Sequence, residues 1–209
     1  MNNKVPYNNR YSPQIVVWDF QLKDFVDNTP ANLSSLYPSY YKNGYIKEVL
    51  DGQDASLKFT LWSNAYKYNG TAGRILRTIK AKDKGLLGYS PHKTDKSRLL
   101  TVNHVTADDK ALVAEKVIEL ERTLVRAKEN GVRMVLAVSP YLEQIDGTSP
   151  TLNVLREMCD RYGCLLLDYS QNEDFTGDVT KFYDVGHLND EGAALFTSMV
   201  AFDIKNNNK

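Results

Sequence analysis

Two residues near the end of this 209-residue chain, Asp184 and His187, have the types and the spacing of an acid–base pair. They lie on a predicted turn that leads directly into the last helix. A carboxylate three residues before a histidine can accept a hydrogen bond from one imidazole nitrogen, which leaves the other nitrogen able to take a proton from a nucleophile. The alternative interpretation is that Asp184 begins a turn and that the ring of His187 packs near the helix start.

Weaker candidates lie in the middle of the chain. Ser139 ends a predicted strand, where α/β folds build their sites, but Pro140 follows it and no glycine flanks it, so a strand-terminating loop residue is favoured over a nucleophile. Asn103 could donate a hydrogen bond to an oxyanion, although a turn residue is the simpler interpretation. His92 and His104 are isolated loop histidines without the spacing of metal ligands, so we predict no metal site.

The elements that must position these residues alternate between strand and helix. The clearest signals are a short β-branched and aromatic run, an amphipathic stripe capped by Thr106 and ended by Asn130-Gly131, and a closing helix capped by Asn189. The predicted strands are Gln14–Phe20, Val132–Val138 and Cys164–Asp168, and the predicted helices are 106–130, Thr151–Arg161 and one from about Asp190. This alternation predicts a doubly wound, parallel α/β sheet.

A Tyr-rich, mostly helical insertion is predicted between about residues 30 and 105, within a single domain that spans residues 1–209. Its predicted helices are Leu33–Tyr41, Gly44–Leu50, Ala55–Tyr66 and Ala72–Ala81. The polar segment Lys84–His104 is predicted to be a long loop, because it carries Gly85, Gly88 and Pro91.

Composition excludes several classes of function. Lys plus Arg equals Asp plus Glu, 26 of each, so no overall charge favours nucleic acid as a partner. No apolar run approaches the length of a membrane span, and the start has no signal peptide, which predicts a cytoplasmic protein if that start is natural. Cys159 and Cys164 are predicted to be buried free thiols, and no cofactor is predicted.

The segment from Asp184 to Ala193 resembles the last conserved block of the SGNH/GDSL hydrolase family, an Asp-x-x-His pair before a closing helix. Ile15–Phe20 resembles the central strand of that family, and the strands ending at Pro140 and Asp168 look like its last two. The segments Leu36–Lys42 and Gly88–Pro91 are similar to those of envelope-associated members from gut-type bacteria.

This resemblance implies a three-layer α/β/α, flavodoxin-like parallel sheet and a Ser-His-Asp mechanism without a cofactor. In that mechanism His187 is the general base and Asp184 orients it. The implied reaction is hydrolysis or transfer of acyl groups from a small-molecule or glycan ester, such as an O-acetylated glycan. Two alternatives stay open. One is a catalytically silent SGNH-like domain that binds a glycan or a protein through its Tyr-rich insertion, and the other is an unrelated α/β binding module.

The chain also departs from the family pattern. The Ser-bearing block that the resemblance implies is not found, and Gln21, Lys23 and Asp24 occupy the loop where an oxyanion-binding Asn is expected. We therefore expect an N-terminally incomplete domain that lacks its first strands and exposes an apolar sheet edge. A second copy could cover that edge. If the chain is truncated, the family resemblance implies a location in the cell envelope or periplasm.

Overall fold

The computed structural model describes residues 13–27, 29, 33–68, 92, 100–107 and 110–207. The chain divides into two compact units. Described residues 29 and 33–68 belong to the first unit, and the remaining described residues belong to the second. The predicted helix 72–81 and most of the predicted loop 84–104 lie outside the described residues.

The first unit is built from short helices around a small apolar core. A 3₁₀-helix covers Ser34–Ser39, and it is followed by α1 (Gly44–Gln53), α2 (Leu57–Thr60) and α3 (Asn64–Lys67). The side chain of Asn43 accepts hydrogen bonds from the first backbone N–H groups of α1 and fixes its start. The core consists of Tyr40, Leu50, Leu57 and Leu61.

Two helix predictions in this unit are wrong in detail. The predicted helix 33–41 is a 3₁₀-helix, which is consistent with Pro38 having no N–H to donate to an α-helical hydrogen bond. The predicted helix 55–66 is two short helices, because Ser63 adopts an extended backbone with ψ of 122°. The helix predicted from Gly44 is confirmed.

The second unit is a mixed α/β fold. Its elements in chain order are β1 (Ile15–Phe20), β2 (His104–Thr106), α4 (Ala114–Glu129), β3 (Arg133–Val138), β4 (Gln144–Asp146), α5 (Pro150–Tyr162), β5 (Leu165–Asp168), β6 (Phe182–Asp184), β7 (His187–Leu188) and α6 (Asp190–Asn206). The main sheet has the order β1-β3-β5 with all pairs parallel, and Val17 is opposite Val135, which is opposite Leu165. The strands β2 and β4 form a parallel pair, and β6 and β7 form an antiparallel pair.

Helices cover both faces of the main sheet at β3. Alternate side chains of β3, such as Leu136 and Val138, enter a core with α4 and α5, whereas Val135 and Ala137 enter a core with α6. Every β3 residue from Met134 to Val138 is buried, which explains why the strand reads as a continuous apolar run. The predicted parallel α/β sheet and its three strands are confirmed at this level.

The strand β1 is much more exposed than β3, although its sequence is equally apolar. Among the described strands it pairs with β3 alone, so it lies at an edge of the sheet. Its side chains Ile15, Val17 and Trp18 are 39%, 46% and 38% exposed. Within the described part of the sheet, β1 is therefore an exposed apolar edge strand.

The predicted start of the first long helix at Thr106 is wrong. Thr106 lies in β2 and pairs with Asp146 of β4, and the N–H of Ala107 donates to the carbonyl of Asp146 at 2.8 Å. The helix α4 starts only at Ala114. Just before it, the N–H of Val113 donates to the carbonyl of Phe25. Three-residue strands such as β2 and β4 are too short to produce a readable periodicity, so sequence reasoning did not find them.

Candidate active site

The structure brings Asp184 and His187 into direct contact. They lie opposite each other in the β6–β7 hairpin, and the distance from His187 Nδ1 to Asp184 Oδ1 is 2.8 Å. The N–H of Gly186 donates to the same carboxylate oxygen at 2.9 Å. Asp184 thus both initiates the turn and holds the ring of His187, whose side chain is exposed.

The surroundings of Asp184 keep its carboxylate ionised. Partial burial by itself raises the pKa of Asp184, but the hydrogen bonds from the His187 ring and from the Gly186 N–H outweigh it and hold the pKa below its ordinary value. The side chain of His187 is 73% exposed, and its Nε2 makes no hydrogen bond to a described residue. The ring therefore has one nitrogen held by a carboxylate, and its other nitrogen has no hydrogen-bond partner among the described residues.

The first turn of α6 positions this hairpin. Asn189 is 4% exposed, and its side chain caps α6 by accepting from the N–H of Gly192 at 2.9 Å while donating to the carbonyl of Thr180 at 2.6 Å. A Cβ atom on Gly192 would lie 2.2 Å from the carbonyl oxygen of Lys181. The helix start is thus in close contact with the backbone that leads into β6, which requires a glycine at this point.

His92 also belongs to this region, although sequence reasoning treated it as an isolated loop residue. Its N–H donates to Asp190 Oδ1 at 2.7 Å, and its carbonyl accepts from the Asp190 N–H at 3.0 Å. Its ring lies 4.9 Å from the ring of Tyr183, centroid to centroid. No local pattern could have found this contact, because 98 residues separate His92 from Asp190 in the chain.

Ser139 and Asn103 have other partners. Ser139 Oγ donates to Asp19 Oδ1 at 2.7 Å, at the carboxyl ends of β3 and β1, and Asn103 Nδ2 donates to Glu143 Oε1 at 3.5 Å. Burial raises the pKa of Asp19, and the hydrogen bonds from Ser139 only partly oppose that rise. Within the described part of the chain, neither Ser139 nor Asn103 forms a hydrogen bond with Asp184 or His187.

Two other features are not found among the described residues. No group of three or more His, Cys, Asp and Glu side chains there could hold a metal ion. In the same residues, no helix is both long enough and apolar enough to cross a membrane.

The second unit is therefore a parallel α/β fold with an Asp–His pair on the turn before its last helix. Comparison of the chain with protein-family models, with curated proteins and with solved structures found no match. A function for this protein therefore has to be inferred from its own residues.

Proposed function

We propose that this chain is an SGNH/GDSL-type ester hydrolase or acyltransferase-like domain in which Asp184 and His187 are the acid–base part of a Ser-His-Asp mechanism. The observation that carries the proposal is the 2.8 Å contact between His187 Nδ1 and Asp184, with Nε2 left unengaged by the described residues. The position of the pair, between the last parallel strand and the C-terminal helix, supports the resemblance to this family. The proposed substrates are acyl esters, O-acetylated glycans among them.

In this mechanism each group has a defined step. His187 Nε2 takes the proton of a serine hydroxyl as that oxygen attacks the ester carbonyl, and the resulting imidazolium is stabilised by the ionised Asp184. His187 then gives the proton to the departing alcohol. Water or an acceptor hydroxyl repeats the cycle on the acyl-enzyme, with His187 again as base. The low pKa of Asp184 suits this role, because a protonated carboxyl could not stabilise the imidazolium.

The nucleophile is not assigned to a particular serine. Ser139 and Ser170 both follow strands of the main sheet, and their hydroxyls donate to Asp19 and Asp168, each at 2.7 Å. Because both hydroxyl protons are directed to carboxylates, neither serine has the imidazole partner that the mechanism requires.

Labelling with a fluorophosphonate probe tests the proposal, because such probes react with serines that a histidine activates. The proposal requires one labelled serine in the chain, other than Ser139 and Ser170, which peptide mapping identifies. His187→Ala should reduce the labelling rate by at least about 1000-fold. His104→Ala is the matched control, since His104 is also an exposed histidine on a short strand. Absence of labelling in folded protein, or labelling that survives His187→Ala, would contradict the proposal.

A second candidate function is a catalytically silent domain that binds a glycan or a protein through the first unit. Phe59 and Trp62 favour it, because their side chains are 72% and 82% exposed while Leu57 and Leu61 of the same segment are buried. Exposed aromatic rings held by a packed backbone are suited to ligand contact.

This candidate predicts retention on an immobilised O-acetylated polysaccharide or capture of a protein partner, without fluorophosphonate labelling. Trp62→Ala should abolish that binding. Phe202→Ala serves as the control, because Phe202 is an equally apolar ring, 64% exposed, on α6 of the second unit. Equal loss of binding in both variants would argue against a specific aromatic surface in the first unit.

A further inference from the structure

The helix α5 ends in a left-handed turn that brings two cysteines together. Gly163 has a φ of 71°, and its N–H donates to the carbonyl of Cys159 at 2.9 Å. In this type of helix end, the residue whose carbonyl accepts that bond commonly makes a side-chain contact with the residue after the glycine. Here these residues are Cys159 and Cys164, and both are free thiols that join the same apolar core.

The two thiols differ in exposure and in acidity. Cys159 is 6% exposed, whereas Cys164 is half-buried. Interaction with Cys164 and burial raise the pKa of the Cys159 thiol, and the same interaction lowers the pKa of Cys164. Cys164 is therefore both the more accessible and the more acidic of the two thiols.

Cys164 lines a cavity of about 260 Å³ between α4, β3 and the end of α5. Lys128 and Arg133 line the same cavity, and Arg133 also donates to the carbonyl of Asn207 at 2.9 Å. A small molecule in this cavity would lie beside Cys164 and the cationic Lys128. Cys159 belongs to the apolar core against which Cys164 packs, and it is shielded from solvent.

We propose that Cys159 and Cys164 form a thiol–disulfide exchange site whose substrates are small anionic disulfides of the glutathione type. The Cys164 thiolate attacks one sulfur of the disulfide, forms a mixed disulfide and releases one thiolate. Cys159 then loses its proton and attacks the sulfur of Cys164, which releases the second thiolate and forms the Cys159–Cys164 bond. The protein dithiol is oxidised by two electrons, the small disulfide is reduced to two thiols, and those thiols take up the two protons. This site is independent of the Asp184–His187 pair.

Incubation of the full chain with glutathione disulfide, followed by acid quenching and mass spectrometry, tests the proposal. The wild type should lose two hydrogens without retaining an adduct. Cys159→Ser should accumulate one glutathionyl group on Cys164, because the resolving thiol is gone. Cys164→Ser should react at least about 10-fold more slowly, because the remaining thiol is buried and less acidic. Circular dichroism confirms that each variant is folded.

Variants that remove a positive charge test the role of the cavity. Lys128→Gln should slow the reaction of Cys164 with glutathione disulfide several-fold and leave the rate with neutral hydroxyethyl disulfide unchanged, whereas Lys42→Gln in the first unit should change neither rate. Folded wild-type protein that keeps both thiols in excess oxidant would overturn the exchange site, as would equal rates in the two cysteine variants. Equal sensitivity of both disulfides to Lys128→Gln would overturn the assigned substrate class.

Discussion

Two aspartates of the second unit accept hydrogen bonds of nearly equal length, and nevertheless their pKa values are shifted in opposite directions. Asp19, at the end of β1, accepts from Ser139 Oγ at 2.7 Å, and Asp184, on the β6–β7 hairpin, accepts from His187 Nδ1 at 2.8 Å. The pKa of Asp19 is raised above its ordinary value, mainly by burial, and the pKa of Asp184 is lowered.

The two carboxylates differ in how far their hydrogen bonds offset desolvation. Asp184 receives bonds from an imidazole, which can carry a positive charge, and from the Gly186 N–H, and together they outweigh its desolvation. At Asp19, desolvation and the nearby Asp24 carboxylate raise the pKa, and the hydrogen bonds from Ser139 and Phe20 do not offset that rise. A short contact to a carboxylate therefore does not define a catalytic pair by itself. The partner must be able to accept the proton that the chemistry moves.

The largest expected effect that separates the two sites is catalytic. Asp184→Asn should lower fluorophosphonate labelling by roughly 1000-fold or more, because an amide cannot stabilise the imidazolium of His187. Asp19→Asn should leave the labelling rate within about twofold of the wild type. Similar losses in both variants would mean that Asp19 also belongs to the reacting site.

A smaller effect is expected from the packing that holds the Asp184 hairpin. Gly192→Ala should destabilise the protein by roughly 2–4 kcal/mol, because its Cβ would lie 2.2 Å from the Lys181 carbonyl. Gly186→Ala is the matched control in the same hairpin, since its Cβ would meet no atom closer than 3.8 Å. Urea unfolding measures both variants, and equal destabilisation would show that the contact at Gly192 is not the cause.

The smallest effect is the dependence of stability on pH, for which the two aspartates have opposite signs. The folded pKa of Asp19 lies above its ordinary value of 3.8, so the stability linked to its protonation is present below pH 3.8 and is lost as pH rises through the folded pKa. The folded pKa of Asp184 lies below 3.8, so its contribution is present above pH 3.8 and is lost as pH falls through the folded pKa.

Urea unfolding across this pH range separates the two contributions. Asp19→Asn should gain stability relative to the wild type as the pH rises above 3.8, and Asp184→Asn should lose less stability than the wild type on further acidification. A shared direction in both variants would mean that the pKa values of Asp19 and Asp184 are not shifted in opposite directions.

Much of the local structure could be predicted from sequence, because it depends on interactions within a few residues. The start of α6 at Asp190 follows from its cap Asn189, and the turn at Gly131 follows from the freedom of glycine at a φ of 67°. The strand β3 was recognisable because its apolar run is continuous. The start of α4 was not predicted correctly, because Thr106 belongs to β2. This strand pairs with β4, which lies about 40 residues away in the sequence.

The sequence by itself determined the contact between Asp184 and His187, since one turn of chain joins them and its geometry allows few alternatives. Only the tertiary structure decided which residues surround that pair and which do not. Ser139 meets Asp19 across 120 residues, and His92 meets Asp190 across 98. Such contacts depend on the final positions of whole strands and loops. Burial of the sheet faces sets those positions, and the spacing of the contacting residues in the sequence does not reveal them.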